Sequence, residues 1–266
     1  MREILALLRA GWLSALSYRV NLVFSLAGLV LMLVPVYFVA HALQPVAATS
    51  IQNEGGEYFG FLVIGLAMLT IVTTTLNGLP GTIGGAIASG TLEAMLATPA
   101  RLPALLAGLV AYEMSWSMIR AGLMLLAGVA LGSAIRLGGI PVALVALGLT
   151  LVAYFGLSLG LAGMILVFRT TGPLASGLLV ASALLGGVYY STSVIPSWIQ
   201  QLSVVVPLTY GLRVVRQALL GATDLSGLGA DLLPLTGLAL GLLLLGAACF
   251  GYGLRHARRE GTLGQY

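Results

Sequence analysis

The sequence predicts an all-α integral membrane protein with six transmembrane helices in a single domain, residues 1–266. Hydrophobic residues make up 59% of the chain and charged residues only 8%, whereas a soluble domain carries roughly 25% charged residues. Several apolar runs reach the roughly 20 residues that a helix needs to cross a bilayer core. The basic residues lie mainly at the ends of these runs. Lipid is therefore the solvent for much of the chain.

An amphipathic helix is predicted at the start of the chain, in residues 1–18. Leu8 and Trp12 repeat at helical spacing, while Arg9 falls elsewhere around the helix. This pattern is typical of a helix that lies in the membrane interface. A signal peptide is the alternative, but the apolar run 20–40 is too long for the apolar region of one. We interpret that run as the first span.

The predicted spans alternate with segments that contain Pro, Gly or charged residues. The spans cover residues 20–43, 58–79, 104–133, 140–168, 173–191 and 232–254. Residues 192–220 do not fit this pattern. Their first part is too short to cross a bilayer, and residues 208–220 are amphipathic, with Arg213 and Arg216 predicted on the polar side.

The distribution of Arg predicts the orientation. With the N-terminus inside, the inner segments hold eight Arg residues: Arg2, Arg9, Arg19, Arg101, Arg169, Arg255, Arg258 and Arg259. The outer segments hold three: Arg136, Arg213 and Arg216. This excess follows the positive-inside rule. We therefore expect both termini to be cytoplasmic, which agrees with an even number of spans.

Several classes of function are excluded by residue types. The chain has 12 basic residues, none of them Lys, so it lacks the Lys of a phosphate-binding Walker A loop and any catalytic Lys. His41 and His256 are far apart in sequence with no acidic cluster beside them, so no metal site is expected. The net charge of +4 comes from Arg residues that lie mainly at the ends of the apolar runs. It therefore indicates the orientation of the chain in the membrane and not nucleic-acid binding. No cofactor is expected on this chain, and any ATP is hydrolysed by another one.

The segment 90–99, Gly-Thr-Leu-Glu-Ala-Met-Leu-Ala-Thr-Pro, lies on the predicted cytoplasmic side between spans two and three. It resembles the G-T-L-E-x-L-x-x-T-P signature of ABC-2-type permeases. The resemblance implies that segment 80–102 carries a short coupling helix that docks on an ATPase subunit. The implied coupling residues are Gly90, Thr91, Leu92, Glu93, Thr98 and Pro99. The alternative is an ordinary loop whose Glu93 is solvated. Ala88 and Ser89 stand where many members have a charged Arg-Glu pair.

A second resemblance to the same family lies in residues 186–216. Gly186 precedes Tyr189 and Tyr190, then Pro196-Ser197-Trp198, and then Pro207-Leu208-Thr209-Tyr210. In ABC-2 permeases, such motifs form short re-entrant helices between spans five and six. The resemblance implies the same for residues 192–220, at the exit of the translocation path. Non-spanning backbone at membrane depth requires cover by protein or water.

Two charged residues lie within predicted span three. Glu113 and Arg120 are seven residues apart, so they share one helix face. They are predicted to line the substrate path or to bind across a permease dimer; structural pairing or snorkelling is the alternative. The other candidate path residues are Tyr189, Tyr190, Arg213 and Arg216. Their alternative role is anchoring at the interface.

Taken together, the resemblances imply the non-catalytic permease subunit of an ATP-driven exporter in a bacterial plasma (inner) membrane. The expected substrate is first an amphipathic small molecule, as in drug-efflux members, and second a lipid or lipid-linked glycan, as in polysaccharide or lipid exporters. The expected partners are a P-loop ATPase carrying ATP and Mg, a second permease copy (as a homodimer or a related heterodimer) and the lipid bilayer, with no nucleic acid. One alternative is an ion-gradient-driven transporter or channel that uses Glu113 and Arg120. An intramembrane enzyme is another, but the sequence offers no convincing catalytic constellation.

Overall fold

The computed structural model describes residues 9, 12–13, 19–54, 56–90, 102–168, 172–221 and 228–259. Every regular element in these ranges is helical, which confirms the predicted all-α class for this part of the chain. The α-helices are α1 (Arg19–Ala47), α2 (Tyr58–Ala88), α3 (Leu102–Ala130), α4 (Ile140–Phe168), α5 (Gly172–Leu185), α6 (Ser197–Ser203), α7 (Pro207–Leu220) and α8 (Leu228–Arg259). Short 3₁₀ helices occupy Gln52–Glu54, Leu137–Gly139 and Thr192–Val194.

Four of the helices are long and apolar enough to cross a membrane. The qualifying stretches are Ala27–Ala47, Tyr58–Ala88, Ile140–Phe168 and Gly229–Ala257. Helix α3 is not among these four stretches. It has 29 residues, or about 44 Å at 1.5 Å per residue, and it carries Glu113 and Arg120. The count of six spans remains a prediction.

Helix α5 is shorter than the predicted span 173–191. It has 14 residues, which is about 21 Å, and it ends at Leu185. The chain then turns at Gly187, whose φ of 75° favours glycine. Residues 188–191 are therefore free to bend over the end of the bundle rather than continue the helix.

Helix α2 is longer than predicted. Pro80 was expected to open the loop after span two, but the helix continues through it to Ala88, so that prediction is wrong. Ile83 and Ala86, beyond the proline, are buried in a cluster that includes residues of α4 and α8. This packing compensates for the hydrogen bond that the proline cannot donate. The chain leaves the helix at Gly90, which has a φ of 67°.

Helices α4 and α8 pack with their backbones in contact. A Cβ atom on Gly156 would collide with the backbone of Leu242, and one on Gly163 would lie 2.7 Å from the carbonyl oxygen of Cys249. Small residues permit such close approach between helices in lipid. The central element of the fold is α2, with 78% of its apolar window buried, compared with 11% for α1.

Alternation of the long helices brings three connections to one end of the bundle, which we call the polar end. It comprises residues 48–54, 56–57, 131–139 and 186–206, together with α7, which packs against them. The carboxylate of Glu57 accepts hydrogen bonds from the Ala134 amide at 3.0 Å and the Ser133 hydroxyl at 3.4 Å. The Arg136 amide donates to the Leu219 carbonyl at 2.8 Å. These bonds fasten the connections and α7 together.

Candidate functional site

Helix α7 carries the central charge of the polar end. Pro207 occupies its first turn, where a proline costs no hydrogen bond. The amphipathic pattern predicted Arg216 on the polar side of this helix, but Arg216 is only 1% exposed. At this position the polar side of the helix therefore faces polar groups of the protein rather than water.

Arg216 joins three separate segments of the chain. Its Nη1 lies 3.1 Å from Oε2 of Glu54 and donates to the carbonyl of Gly187 at 2.9 Å. Its Nη2 donates to the carbonyls of Phe61 at 3.1 Å and Val188 at 3.0 Å. The guanidinium also lies 3.3 Å from the centre of the Phe61 ring, within range of a cation–π interaction. We call these five residues the Glu54–Arg216 cluster.

The cluster is almost fully desolvated. Glu54 is 8% exposed, and its Oε1 accepts a hydrogen bond from Ser191 at 3.2 Å. Burial lowers the pKa of Arg216 to about 10, while the charge and hydrogen bond of Glu54 oppose the shift. Arg216 therefore stays protonated at neutral pH. A Cβ atom on Gly65 would lie 2.8 Å from Nη2 of Arg216, so a glycine leaves room for the guanidinium.

Arg213 lies one turn before Arg216 and faces a different environment. Its Nη2 donates to Oγ1 of Thr192 at 2.9 Å, and its Nη1 lies 3.6 Å from Oδ1 of Asp231. The Arg213 side chain is 39% exposed, in agreement with a position on the polar side. The amphipathic pattern of residues 208–220 indicated both Arg residues, but no motif indicated Glu54 or Asp231. The available signal was the position of each acidic residue just before a predicted span, Glu54 before 58–79 and Asp231 before 232–254.

A polar pocket of about 630 Å³ opens beside the cluster. Its hydroxyl side chains are Ser50, Ser191, Thr192, Ser193, Ser197 and Ser203. Its amides are Gln200, Gln201 and Gln217, and its ionisable side chains are Glu54, Arg213 and Asp231. Helix α6 therefore forms one wall, and α7 and the start of α8 contribute to the others.

Tyr189 and Tyr190 follow the turn that ends α5. The carbonyl of Tyr189 accepts a hydrogen bond from the Tyr58 hydroxyl at 2.9 Å, while its own side chain is 41% exposed. Tyr190 is half-buried. The structure places both tyrosines at the polar end beside Gly187 and Val188. Their role in a translocation path remains a prediction.

Glu113 and Arg120 are not joined to each other. Glu113 is exposed and Arg120 is half-buried, and no described residue forms an ion pair with either. The buried Nε of Arg120 has no hydrogen-bond partner in the described part of the chain. Near Glu113, Trp12 packs edge to face on Tyr112 and Trp116. These contacts join Trp12 to α3.

The coupling residues are mostly beyond what the structure describes. Gly90 lies in the turn after α2. Thr91, Leu92, Glu93, Thr98 and Pro99 lie outside the described residues, so the coupling helix remains a prediction. Among the described residues, no group of three or more His, Cys, Asp or Glu side chains is placed to hold a metal ion.

These features define a polytopic helical membrane protein with apolar helices and a structured polar end. The family model for the ABC-2 type transporter matches residues 2–220. The chain belongs to this family and is therefore the permease, a generally non-catalytic membrane component, of an ABC transporter. Permeases of this family work with ATPase partners. A search among curated proteins finds no match to this chain.

Proposed function

We propose that this chain is the membrane subunit of an ATP-driven exporter in a bacterial inner membrane. The observation that carries the proposal is the family match over residues 2–220. Two permease chains, identical or related, pair with two P-loop ATPase subunits that hold ATP and Mg. The substrate is an amphipathic small molecule or a lipid, and it leaves on the side of the polar end. Both termini lie in the cytoplasm.

The distribution of charge supports this orientation. Three Arg residues lie at the polar end, but two of them are neutralised within the protein: Arg213 by Asp231 and Arg216 by Glu54. Arg136 is the remaining one. The positive-inside rule counts basic residues near span ends, and acidic residues contribute little to it. The support for an outer polar end is therefore its three Arg residues, compared with eight in the segments assigned to the other side.

The short helices support a re-entrant arrangement at the exit. Helix α6 has 7 residues and α7 has 14, or about 10 Å and 21 Å at 1.5 Å per residue. Neither length crosses a core of about 30 Å. We propose that Tyr189, Tyr190 and Arg213 border the path there, and we now assign Arg216 a structural role because it is enclosed by its partners.

The proposed mechanism transmits movement from one side to the other. ATP binding closes the ATPases, the segment around Glu93 moves with them, and α2 and α3 on either side of it carry the displacement across the membrane. Helix α2 reaches from that segment to Tyr58 and Phe61, which contact the polar end. A rigid, buried helix is suited to this transfer.

The test is co-purification of this chain with a co-expressed P-loop ATPase. Glu93→Ala is expected to release the ATPase, because it removes the main polar contact of the proposed coupling helix. Glu57→Ala is the matched control, since Glu57 bonds the turn after α3 at the polar end, and it is expected to retain the ATPase. Purified chain that transports without any ATPase would refute the proposal.

An ion-gradient-driven transporter or channel is the second candidate, favoured by the exposed Glu113 and the unpartnered Nε of Arg120 within α3. Charges within a span are costly in lipid and commonly mark ion pathways. This alternative predicts transport by the chain alone that an uncoupler abolishes and vanadate leaves unchanged. Glu113→Gln would then abolish transport while assembly stays normal.

A further inference from the structure

An apolar groove lies between α2, α3, α4 and α7, next to the polar end. Its volume is about 260 Å³, and every residue that lines it is apolar. Three of these residues, Leu126, Val129 and Leu144, are exposed on the side of the bundle. Exposed apolar surface of this kind marks contact with a membrane or a ligand. The groove therefore opens sideways, toward lipid.

The depth of the apolar groove matches one leaflet of a bilayer. On α3 it extends from the end of the helix at Ala130 back to Ala121, which is about 14 Å at 1.5 Å per residue. On α4 it extends from the first residue, Ile140, to Leu147, or about 11 Å. Half of a bilayer core of about 30 Å is about 15 Å. A lipid tail in the leaflet at the polar end runs over the same depth.

Arg136 supplies a positive charge at the end of the apolar groove. Its amide donates to the carbonyl of Leu219 at 2.8 Å, and both Leu219 and the neighbouring Ile135 line the groove. The Arg136 side chain is exposed, and no described residue forms an ion pair with it. The nearby carboxylate of Glu57 is already bonded to the turn after α3. Because an Arg side chain binds phosphate through charge-assisted hydrogen bonds, an anionic head group complements this position.

Helix α7 separates the apolar groove from the polar pocket. Val215 and Leu219 line the groove, whereas Arg213 and Gln217 line the pocket. Residues four apart share a helix face, and residues two apart lie on opposite sides. The two cavities have no lining residue in common. A molecule in the groove is therefore off the exit route proposed above.

We propose that the apolar groove holds an acyl chain of an anionic phospholipid, whose phosphate binds Arg136. This lipid is a resident component of the permease and not its cargo. Its preference for the site comes from the fit of the chain and from the charge of the head group, because transfer of an apolar chain from lipid to protein gains little by itself. The proposal goes beyond the proposed function, since the binding requires neither ATP nor an ATPase partner.

The experiment uses the full chain in micelles of a neutral detergent. Native mass spectrometry counts the lipids bound during titration with dioleoylphosphatidylglycerol and, separately, with dioleoylphosphatidylcholine, which has the same chains but no net charge. Glycerol 3-phosphate presents an anionic phosphate without chains. We expect saturable binding of phosphatidylglycerol, about fivefold weaker binding of phosphatidylcholine, and no displacement of lipid by glycerol 3-phosphate. The factor is the contribution of a single Arg near an anionic membrane surface.

Two variants test the two parts of the site. Arg136→Met should weaken the binding of phosphatidylglycerol about fivefold, whereas Arg255→Met, which removes an exposed Arg at the opposite end of the bundle, should not. Gly122 lines the groove, and a Cβ atom on it would have nothing within 4 Å. Gly122→Leu should therefore fill the groove and abolish saturable binding. Gly237→Leu is the matched control, because Gly237 has the same open space on α8 outside the groove.

The melting temperature of each variant in lipid-free micelles reports whether it folds. Arg136→Met changes only an exposed side chain, so it decides the question even if Gly122→Leu does not fold. The proposal is overturned if phosphatidylcholine binds as tightly as phosphatidylglycerol, if glycerol 3-phosphate displaces the lipid, or if Arg136→Met behaves like Arg255→Met. It is also overturned if Gly122→Leu alters the oligomeric state and leaves lipid binding unchanged, because a second chain then covers the groove. Such a failure leaves the exporter proposal intact, since that proposal is tested by the ATPase partner.

Discussion

The Glu54–Arg216 cluster permits a quantitative prediction of stability. Arg216→Met keeps a long side chain but removes the buried charge, which makes one hydrogen bond to Glu54 and three to backbone carbonyls. Removing one partner of a buried pair costs about 3–5 kcal/mol, because the other charge is left buried and uncompensated. We therefore expect the free energy of unfolding to decrease by about 3–5 kcal/mol.

Substitution of Glu54 should destabilise the protein less than substitution of Arg216. In Glu54→Gln the amide oxygen still accepts a hydrogen bond, and Arg216 keeps its three carbonyl partners. We expect a loss of about 1–3 kcal/mol. The double variant Glu54→Gln, Arg216→Met should lose less than the sum of the single variants, since no unpaired carboxylate remains.

The assay is unfolding of the protein in mixed micelles, followed by tryptophan fluorescence. Arg136→Met is the matched control, because Arg136 lies at the same end of the bundle with an exposed side chain, and surface substitutions usually change stability by less than about 0.5 kcal/mol. If Arg216→Met lowers stability no more than Arg136→Met, Arg216 does not bind the polar end together and the reasoning fails.

Two other predictions concern contacts that position the polar end and the bundle. Gly156→Ala should destabilise the protein by about 1–3 kcal/mol, because the added Cβ meets the backbone of Leu242. Gly148→Ala is the control and should leave stability unchanged, because there is open space around Gly148. Equal melting temperatures of the two variants would contradict the predicted contact between α4 and α8. Glu57→Ala should cost about 1 kcal/mol and speed hydrogen exchange at the Ala134 amide, to which it is bonded at 3.0 Å. Unchanged exchange there would show that the tether is not formed in solution.

The fold was predictable from sequence where lipid determines the pattern. Helix α4 was predicted at 140–168 and runs over Ile140–Phe168. Its bounds were predictable because an uncharged helix in lipid extends as far as the apolar run and stops at the polar or turn-forming residues on either side. Helix α2 was predicted to end before Pro80 and does not. Local sequence cannot indicate that Ile83 and Ala86, beyond the proline, have partners on other helices.

The candidate site was predictable only in part. The sequence singled out Arg213 and Arg216 on one amphipathic helix, and Arg213 is indeed half-exposed beside a polar pocket. The same pattern placed Arg216 on the polar side, although it is buried. A polar helix face is compatible with water, with lipid head groups or with a polar protein interior, so periodicity alone does not distinguish these surroundings.

By itself, the sequence determined that much of the chain is solvated by lipid, that its regular structure is helical, and that its motifs resemble those of ABC-2 permeases. These properties depend on composition and on local order along the chain. Only the tertiary structure decided which charges compensate each other. Glu54 and Arg216 are 162 residues apart, and they meet because the packing of α2, α5 and α7 brings their ends together. A buried charge is stable only beside such a partner, and the identity of that partner depends on how the helices pack.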